Sequence, residues 1–440
     1  MMSEQNSSKM KCLIYLITYL TAVYPLHPAI GQTNPDARGL QEGDIEKYYY
    51  EDPVTGSQMY SHVMNIPKPN TAGVSHIYYG NFVVPGGMGV ILNNANTDTQ
   101  TELAGRIRAN PNLINGKGAD LIINEVMGPD PSELAGPLEV AGQKARVVIA
   151  NWNGITCDGC RFINTAGVTL TTGEPMIDKN GALAAIGVRE GHITIGQRGL
   201  DAQSADYVDI ISRATTLNGV IKAKDLSLVQ GANLFDFEHG NFPVKGTGEV
   251  PKLAIDTRAM GGMYANKISL VGTEAGVGVN LANLTTHQDG IRLTVDGKIT
   301  LGNVNAKTDI NVSSKDIEIA KDSQVKAGKD ITLAANTLNN AGQVISDGDM
   351  RLFVDRFDNQ AEEASLIQAN RNLWLQKDWV GNPASWVSNN RGTLQTQYGD
   401  IVMRTKEFSN FRGGPPLFRG ECLYQCLNSH QQRPQSVNGT

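Results

Sequence analysis

Late in the chain a short unit returns at an almost fixed interval, and that interval restricts what the chain can fold into. The unit is an acidic residue or Gly set just before an apolar-polar-apolar triplet. It reads Asp289-Gly-Ile-Arg-Leu293, Thr308-Asp-Ile-Asn-Val312, Lys329-Asp-Ile-Thr-Leu333 and Gly348-Asp-Met-Arg-Leu352. Its first apolar positions, 291, 310, 331 and 350, are 19, 21 and 19 residues apart. A second set, Ile299-Thr-Leu301 and Ile317-Glu-Ile319, lies between them, 18 apart. A period near ~20 predicts a solenoid. Each coil would hold two or three short strands with alternate side chains pointing inward. One coil cannot bury its apolar face alone, so it stacks on the next. Ile291, Ile310, Ile331 and Met350 should then form one aliphatic column, with coils about 4.8 Å apart. Arg292, Asn311, Thr332 and Arg351 should face solvent. The run Asn339-Asn-Ala-Gly342 should supply the φ > 0 positions of a sharp corner. A β-sandwich also has evenly spaced strands, but it has no reason to hold so regular an interval. The fold class is all-β, a β-solenoid.

The same alternation occurs earlier, as in Val147-Val-Ile149, Val168-Thr-Leu170, His192-Ile-Thr-Ile195, Ile221-Lys-Ala223 and Ile268-Ser-Leu270. Period two over three to five residues is a strand signal. Long helical periodicity is nearly absent, and residues 101–107 are its best case, one or two turns. Residues 32–70, with Tyr48-Tyr-Tyr50 and few repeats, read as a leader or N-terminal cap. An open solenoid needs one, because its terminal coil exposes unpaired edges. Residues 286–404 read as the regular repeats. The pattern fades after about Arg404, and residues 405–440 read as an irregular tail, polar and disordered from Asn428 onward. The 47 glycines and 6% aromatic content suit many turns and a thin core. The charge, 38 basic against 44 acidic residues, is a mild −6. It lacks the basic stripe of a dedicated nucleic-acid binder, so no nucleic-acid partner is expected.

Lys9 and Lys11 precede an apolar run over residues 12–23, and small residues follow at Ala29 and Gly31. That order is a secretory signal over residues 1–31, cleaved before Gln32. A short buried helix is the plainer alternative. Of five cysteines, Cys12 lies in this signal, leaving the close pairs Cys157/Cys160 and Cys422/Cys426. In an oxidising periplasm each pair could close locally. Zinc is the other reading of such pairs, but they are more than 250 residues apart and their flanks offer no further ligands. A thioredoxin-like role is weaker, since Cys157-Asp-Gly-Cys160 does not open a helix. No metal and no cofactor is expected.

Two asparagine-rich motifs stand apart from the repeat. One is Asn110-Pro-Asn-Leu113, comprising Asn110, Pro111, Asn112 and Leu113, followed by Ile114-Asn-Gly116. The other is Asn151-Trp-Asn-Gly-Ile155, comprising Asn151, Trp152, Asn153, Gly154 and Ile155. Asn tolerates left-handed geometry and bonds nearby backbone, and Pro111 fixes its own φ, so each reads locally as a tight turn. Together, and in this order, they resemble the amino-terminal secretion domain of two-partner-secretion exoproteins. That family includes filamentous haemagglutinin and the contact-dependent inhibition proteins. The second motif departs from the family's Asn-Pro-Asn-Gly-Ile at Trp152, which puts the fixed φ of that turn in doubt. The resemblance continues through Ile163-Asn-Thr-Ala-Gly-Val-Thr-Leu-Thr-Thr-Gly173, Gly199-Leu-Asp201, Ser212-Arg-Ala214, Asn218-Gly-Val-Ile221 and Gly261-Gly-Met-Tyr-Ala265. It covers about residues 70–280, with a looser repeat match to about 400, and sets the secretion domain at 71–285.

The resemblance implies a right-handed parallel β-helix and an outer-membrane β-barrel transporter that recognises this region. It implies passage through the periplasm unfolded, folding outside, and secretion or display at the bacterial cell surface. The nine motif residues are the expected recognition set; the plainer reading is that they shape corners and touch no partner. Cys157 and Cys160 match a pair found in some members, which implies a small local disulfide. Large members continue into fibres, and some end in a toxin. This sequence stops at Thr440, which reads as a short paralogue, a truncated gene or a fragment. A receptor on a host cell or another bacterium follows only by analogy.

An enzyme is not expected. Pectin-cleaving enzymes use β-helices, but they need acidic groups clustered on one face. Asp201, Asp206 and Asp209 are the nearest approach, and charged outward positions are usually a solvated face. Glu238-His239-Gly240 reads as a turn. The usual hydrolase, phosphate-binding and zinc-protease motifs are missing. A carbohydrate-active β-helix or a passive biofilm-matrix protein are the alternatives to an adhesin.

Overall fold

The computed structural model describes residues 38–39, 45–51, 58–114, 116–360, 365–410 and 422–426. The expected signal at 1–31 and the polar end from Asn428 lie outside them. Among the described residues the regular elements are strands and one short 3₁₀ turn.

The strands wind into three faces. The first complete coil runs through Val74–Tyr79, Val83–Val84 and Met88–Asn94 on faces one, two and three, with Arg38–Gly39 paired in parallel ahead of Val74–Tyr79. The next coil repeats the path through Leu121–Val126, Ser132–Leu134 and Pro137–Gly142. Each strand pairs in parallel with its counterpart one coil on, as Val74–Tyr79 does with Leu121–Val126. Parallel strands joined by crossovers take the right-handed path, and the chain is a right-handed parallel β-helix.

The expected column is continuous. Ile268, Ile291, Ile310, Ile331, Met350, Leu373 and Ile401 face one another in successive register. A second column on face two runs Val279, Ile299, Ile317, Leu338, Phe357 and Val387. A third on face three runs Leu284, Val304, Val325, Val344, Ile367 and Leu394. These side chains are almost fully buried. Each contributes about 1.5–3 kcal/mol relative to exposure, so the interior of the tube is what holds the coils together.

The N-terminal end is capped by a hairpin. Ile45–Glu51 pairs antiparallel with Gln58–Asn65, and the latter pairs in parallel with Met88–Asn94. The tube's first face-three edge is thereby covered.

Three expectations differ from the structure. Residues 101–107 are not helical: Thr99–Thr101 pairs antiparallel with Gly105–Ile107 in a small hairpin. Gly105 has φ +64°, and the Thr101 hydroxyl accepts from Ala104 N and donates to Gly105 O. Leu103 and Ile107, four apart, imitate a helical face, but both pack down on Val63, Ile91 and Ala141. The corner at 339–342 holds no positive φ. Asn340 instead turns inward, and its Nδ2 donates to Asn359 Oδ1 at 2.8 Å. The strands also continue past Arg404: Phe408–Ser409 pairs with Trp386–Ser388, and Cys422–Cys426 with Ile401–Thr405. The pairs Val387–Phe408 and Ile401–Cys422 are each 21 residues apart, an interval already present in the repeat, but Cys422 stands in register where earlier coils carry Ile, Leu or Met.

Candidate functional site

The two Asn motifs form the same turn at two different places. Asn110 follows the small hairpin and leads toward face one. Its Oδ1 accepts from Asn112 N at 2.9 Å, and its carbonyl accepts from Leu113 N at 2.9 Å. Asn151 ends Ala145–Ala150 on face one and leads into Ile155–Cys157 on face two. Its Oδ1 accepts from Asn153 N at 2.9 Å, and its carbonyl accepts from Gly154 N at 3.0 Å. A side-chain acceptor reaching two residues on imitates a backbone turn, so the turn closes with Trp152 in place of the expected proline. Gly154 has φ +117°, and a Cβ there would lie 2.8 Å from His192 O. Only glycine fits that position without strain.

The amides of both leading asparagines also staple the turns to the coils. Asn110 Nδ2 donates to Ile66 O at 2.9 Å and Asn93 O at 2.8 Å. Asn151 Nδ2 donates to Asp130 O at 2.9 Å and Ser132 Oγ at 3.0 Å. Asn110 is 0% exposed and Asn151 1%, so neither side chain is on the surface of the folded chain. Leu113 and Ile155 are buried in the core. Pro111 and Asn153 are exposed, while Asn112 and Trp152 are half-buried. Asn112 Nδ2 donates to Ile66 O, and Asn153 Nδ2 to Gly128 O at 2.8 Å.

Just beyond the second turn, the Sγ atoms of Cys157 and Cys160 are bonded to each other across the corner between faces two and three. Among the described residues no group of three or more His, Cys, Asp or Glu is placed to hold a metal ion. Of Cys422 and Cys426 only the backbone strand is described.

Sequence reasoning missed two elements outside the coil. The chain leaves between faces one and two twice, through residues 174–188 and 233–243, and the excursions build one antiparallel sheet. Ile186, Val188 and Phe235 of that sheet pack on the outer side of face one, against Ile211 and Val229. Ile177 and Leu183 cover Val74, Leu121, Ile123 and Val148. On the same outer face His76 Nε2 lies 2.7 Å from Glu125 Oε2, with both residues buried. The hairpin at 99–107 is held by buried Glu139, whose carboxylate accepts from Glu102 N at 2.8 Å and Leu103 N at 2.9 Å. Burial pushes its carboxyl up to about 7, against the Leu103 N–H, which lowers it. A lone acidic residue on an outward strand position carries no signal of this role in sequence.

The three aspartates do not converge. Asp201 is on face three and Asp209 on face one. Asp206 is exposed between Lys144 and Lys224. Burial pushes Asp209 up to about 7, opposed by the Thr169 hydroxyl. Glu238-His239-Gly240 is a turn: Asp236 Oδ1 accepts from Glu238 N and His239 N.

The fold has counterparts among known proteins. The TPS secretion domain family matches residues 50–301. A relative from Yersinia mollaretii, named tRNA nuclease CdiA, is 39% identical over 91% of this chain and 14% of its own length. One from Enterobacter cloacae, named 16S rRNA endonuclease CdiA, is 42% identical over 80% of this chain and 10% of its own. The chain thus spans only a small part of the curated relatives it matches. The crystal structure of the filamentous hemagglutinin secretion domain superposes with a TM-score of 0.53 at 28% identity, covering 72% of this chain and 96% of that one. With the family spanning more than half of its 440 residues, the chain belongs to the TPS secretion domain family, the two-partner-secretion exoproteins that leave the cell by way of the periplasm.

Proposed function

We propose that residues 71–285 are the address by which an outer-membrane β-barrel transporter selects this chain, and that residues 110–113 and 151–155 are what it reads. One observation carries the reading. The amides of Asn110 and Asn151 are spent on the chain's own backbone and on Ser132, inside the fold. Only the unfolded chain offers them, so recognition precedes folding. Stacking then propagates coil by coil outside the cell, and residues 286–404 extend the rod that displays the protein. The display serves an adhesin, haemagglutinin-like or contact-dependent inhibition role toward a receptor on a host cell or another bacterium. The nuclease activity named for the relatives is not assigned to residues 71–404.

The test is secretion with and without the cognate transporter, for the natural chain and for Asn110→Ala, Asn151→Ala and Asn153→Ala. Urea unfolding of each purified chain runs beside it. Release that needs the transporter and fails in Asn153→Ala, whose stability changes least, supports recognition. Release that tracks stability alone reduces the motifs to corner-makers. Equal release without the transporter defeats the proposal.

A further inference from the structure

Cys157 ends the face-two strand Ile155–Cys157, and Cys160 begins the face-three strand Cys160–Ile163. Both occupy positions that other coils fill with aliphatic side chains. Cys157 stands in register between Leu134 and Ile195, and Cys160 faces Leu200. They are 0% and 2% exposed and belong to the main core. Thiol–disulfide exchange requires a thiolate to reach a donor sulfur through a mixed disulfide. Once the strand His192–Ile195 and the Leu200–Asp201 strand are stacked on this coil, a donor has no path to either sulfur. The two cysteines are only three residues apart. The bond therefore needs no tertiary structure to bring its ends together, and it leaves the chain linear enough to thread.

We infer that the Cys157–Cys160 bond is made on the unfolded chain in the periplasm, by exchange with a protein disulfide, and is then sealed in the core as the coils stack. This rests on the proposed unfolded passage. One cysteine thiolate attacks the donor disulfide, forms a mixed disulfide and releases one donor thiolate. The second cysteine thiolate attacks the chain sulfur of that mixed disulfide, closing the bond and releasing the other donor thiolate. Two electrons pass to the donor, and the two protons lost by the chain thiols end on the donor thiols. The corner after the second Asn turn is thereby bent before folding begins.

The test has two arms. In the first, the full chain is held in the periplasm of cells that lack its transporter, quenched in acid, and alkylated with N-ethylmaleimide in denaturant. Mass spectrometry then reads the peptide containing residues 157–160. No label before reduction and two labels after it are expected. Two labels before reduction, with the secreted chain unlabelled, would place the bond after folding and overturn the inference. In the second arm, purified secreted chain is treated with dithiothreitol in buffer and in urea. Opening should be at least about 100-fold slower in buffer, because it requires unstacking of the coils; equal rates overturn the sealing. Release without the transporter would defeat the secretion reading and leave the second arm standing.

Discussion

Asp330 Oδ1 accepts the backbone N–H of Asp349, its counterpart one coil on, at 2.9 Å. The same clip runs down one corner of the tube. Asp309 Oδ1 holds Asp330 N, Asp349 Oδ1 holds Asn372 N, and Asn372 Oδ1 holds Asp400 N. The acidic residue that marks the repeat in sequence is therefore the side chain that fastens one coil to the next. Arg351 and Arg371 lie over the clip, 3.0 and 3.2 Å from the Asp330 carboxylate.

Asp330→Ala should cost about 2 kcal/mol, because it orphans the Asp349 N–H and leaves Arg351 and Arg371 with Asp349 alone of their two carboxylates. Asp330→Asn keeps the accepting oxygen and should cost less than about 1 kcal/mol. Burial works to raise the Asp330 carboxyl, but the Asp349 N–H, Arg351 and Arg371 outweigh it and hold it below the ordinary value. A depressed carboxyl contributes stability above its unfolded value and loses it as pH falls through the folded one. Urea midpoints should therefore drop on the acid side of pH 4 more in the natural chain than in Asp330→Asn.

Asn110 gives a sharper test of a buried turn. Its Oδ1 accepts one N–H, and its Nδ2 donates to two carbonyls. Asn110→Ala should cost about 2–4 kcal/mol by removing three buried hydrogen bonds, with only Ile66 O keeping a donor, Asn112 Nδ2. Asn110→Asp keeps the acceptor but aims a buried carboxylate at two carbonyl oxygens, so it should be at least as damaging. Asn153→Ala, at an exposed position, should cost about 1 kcal/mol. Urea unfolding of the three variants checks the order; Asn110→Asp more stable than Asn110→Ala would mean that the donor bonds do not matter.

The columns and both Asn turns were legible because each repeats or clusters along the chain, whereas the acidic residue of the clip was legible as a marker of the repeat and not as a fastener. What stayed hidden is what interrupts the period. The excursions at 174–188 and 233–243 are short alternating strands, indistinguishable by pattern from those of the coil. The inward ladder Asn340, Asn359, Asn389 and Asn410 joins residues 19, 30 and 21 apart. Asn340, Asn359 and Asn389 are buried and point into the tube where alternation alone predicts aliphatic ones, and exposed Asn410 ends the ladder. The burial of Glu139 depends on a hairpin that sequence read as helix.

Glu139 predicts an opposite pH response. Its folded value, about 7, lies above the ordinary carboxylate value. Between roughly pH 4.5 and 7 the folded chain binds a proton that the unfolded chain has lost, so stability falls as pH rises through that window. Asp209, also at about 7, adds to the same slope. Glu139→Gln should remove about 1–3 kcal/mol of that change. It should also loosen the 99–107 hairpin, since an amide oxygen replaces two acceptors. Urea midpoints from pH 5 to 7.5 read the slope; an unchanged slope in Glu139→Gln rejects the assignment.

Arg213 and Glu274 are 61 residues apart and form a parallel fork, with Nε–Oε2 3.2 Å and Nη2–Oε1 2.9 Å. Their side chains are only 7% and 15% exposed. Arg213 Nη1 also donates to Thr247 O, and Glu274 Oε2 accepts from Ala232 N. One ion pair thus ties both ends of the second excursion to the coils beneath it. Arg213→Ala should cost about 3–5 kcal/mol, because it leaves the Glu274 charge buried without its partner. Arg213→Lys should recover less than half of that, since an ammonium cannot make the planar fork. The Arg213→Met, Glu274→Met double variant should lie within about 1–2 kcal/mol of the natural chain, because both charges leave together. The Arg213 hydrogen bond, against burial, holds the Glu274 carboxyl below its ordinary value. Its stabilisation is therefore complete above the unfolded value and is lost on acidification through the folded one. Limited proteolysis separates local from global effects. If the pair chiefly anchors the excursion, Arg213→Ala should be cut within residues 237–252 at urea concentrations where the coils remain intact. Simultaneous loss of both would make the pair a support of the tube itself.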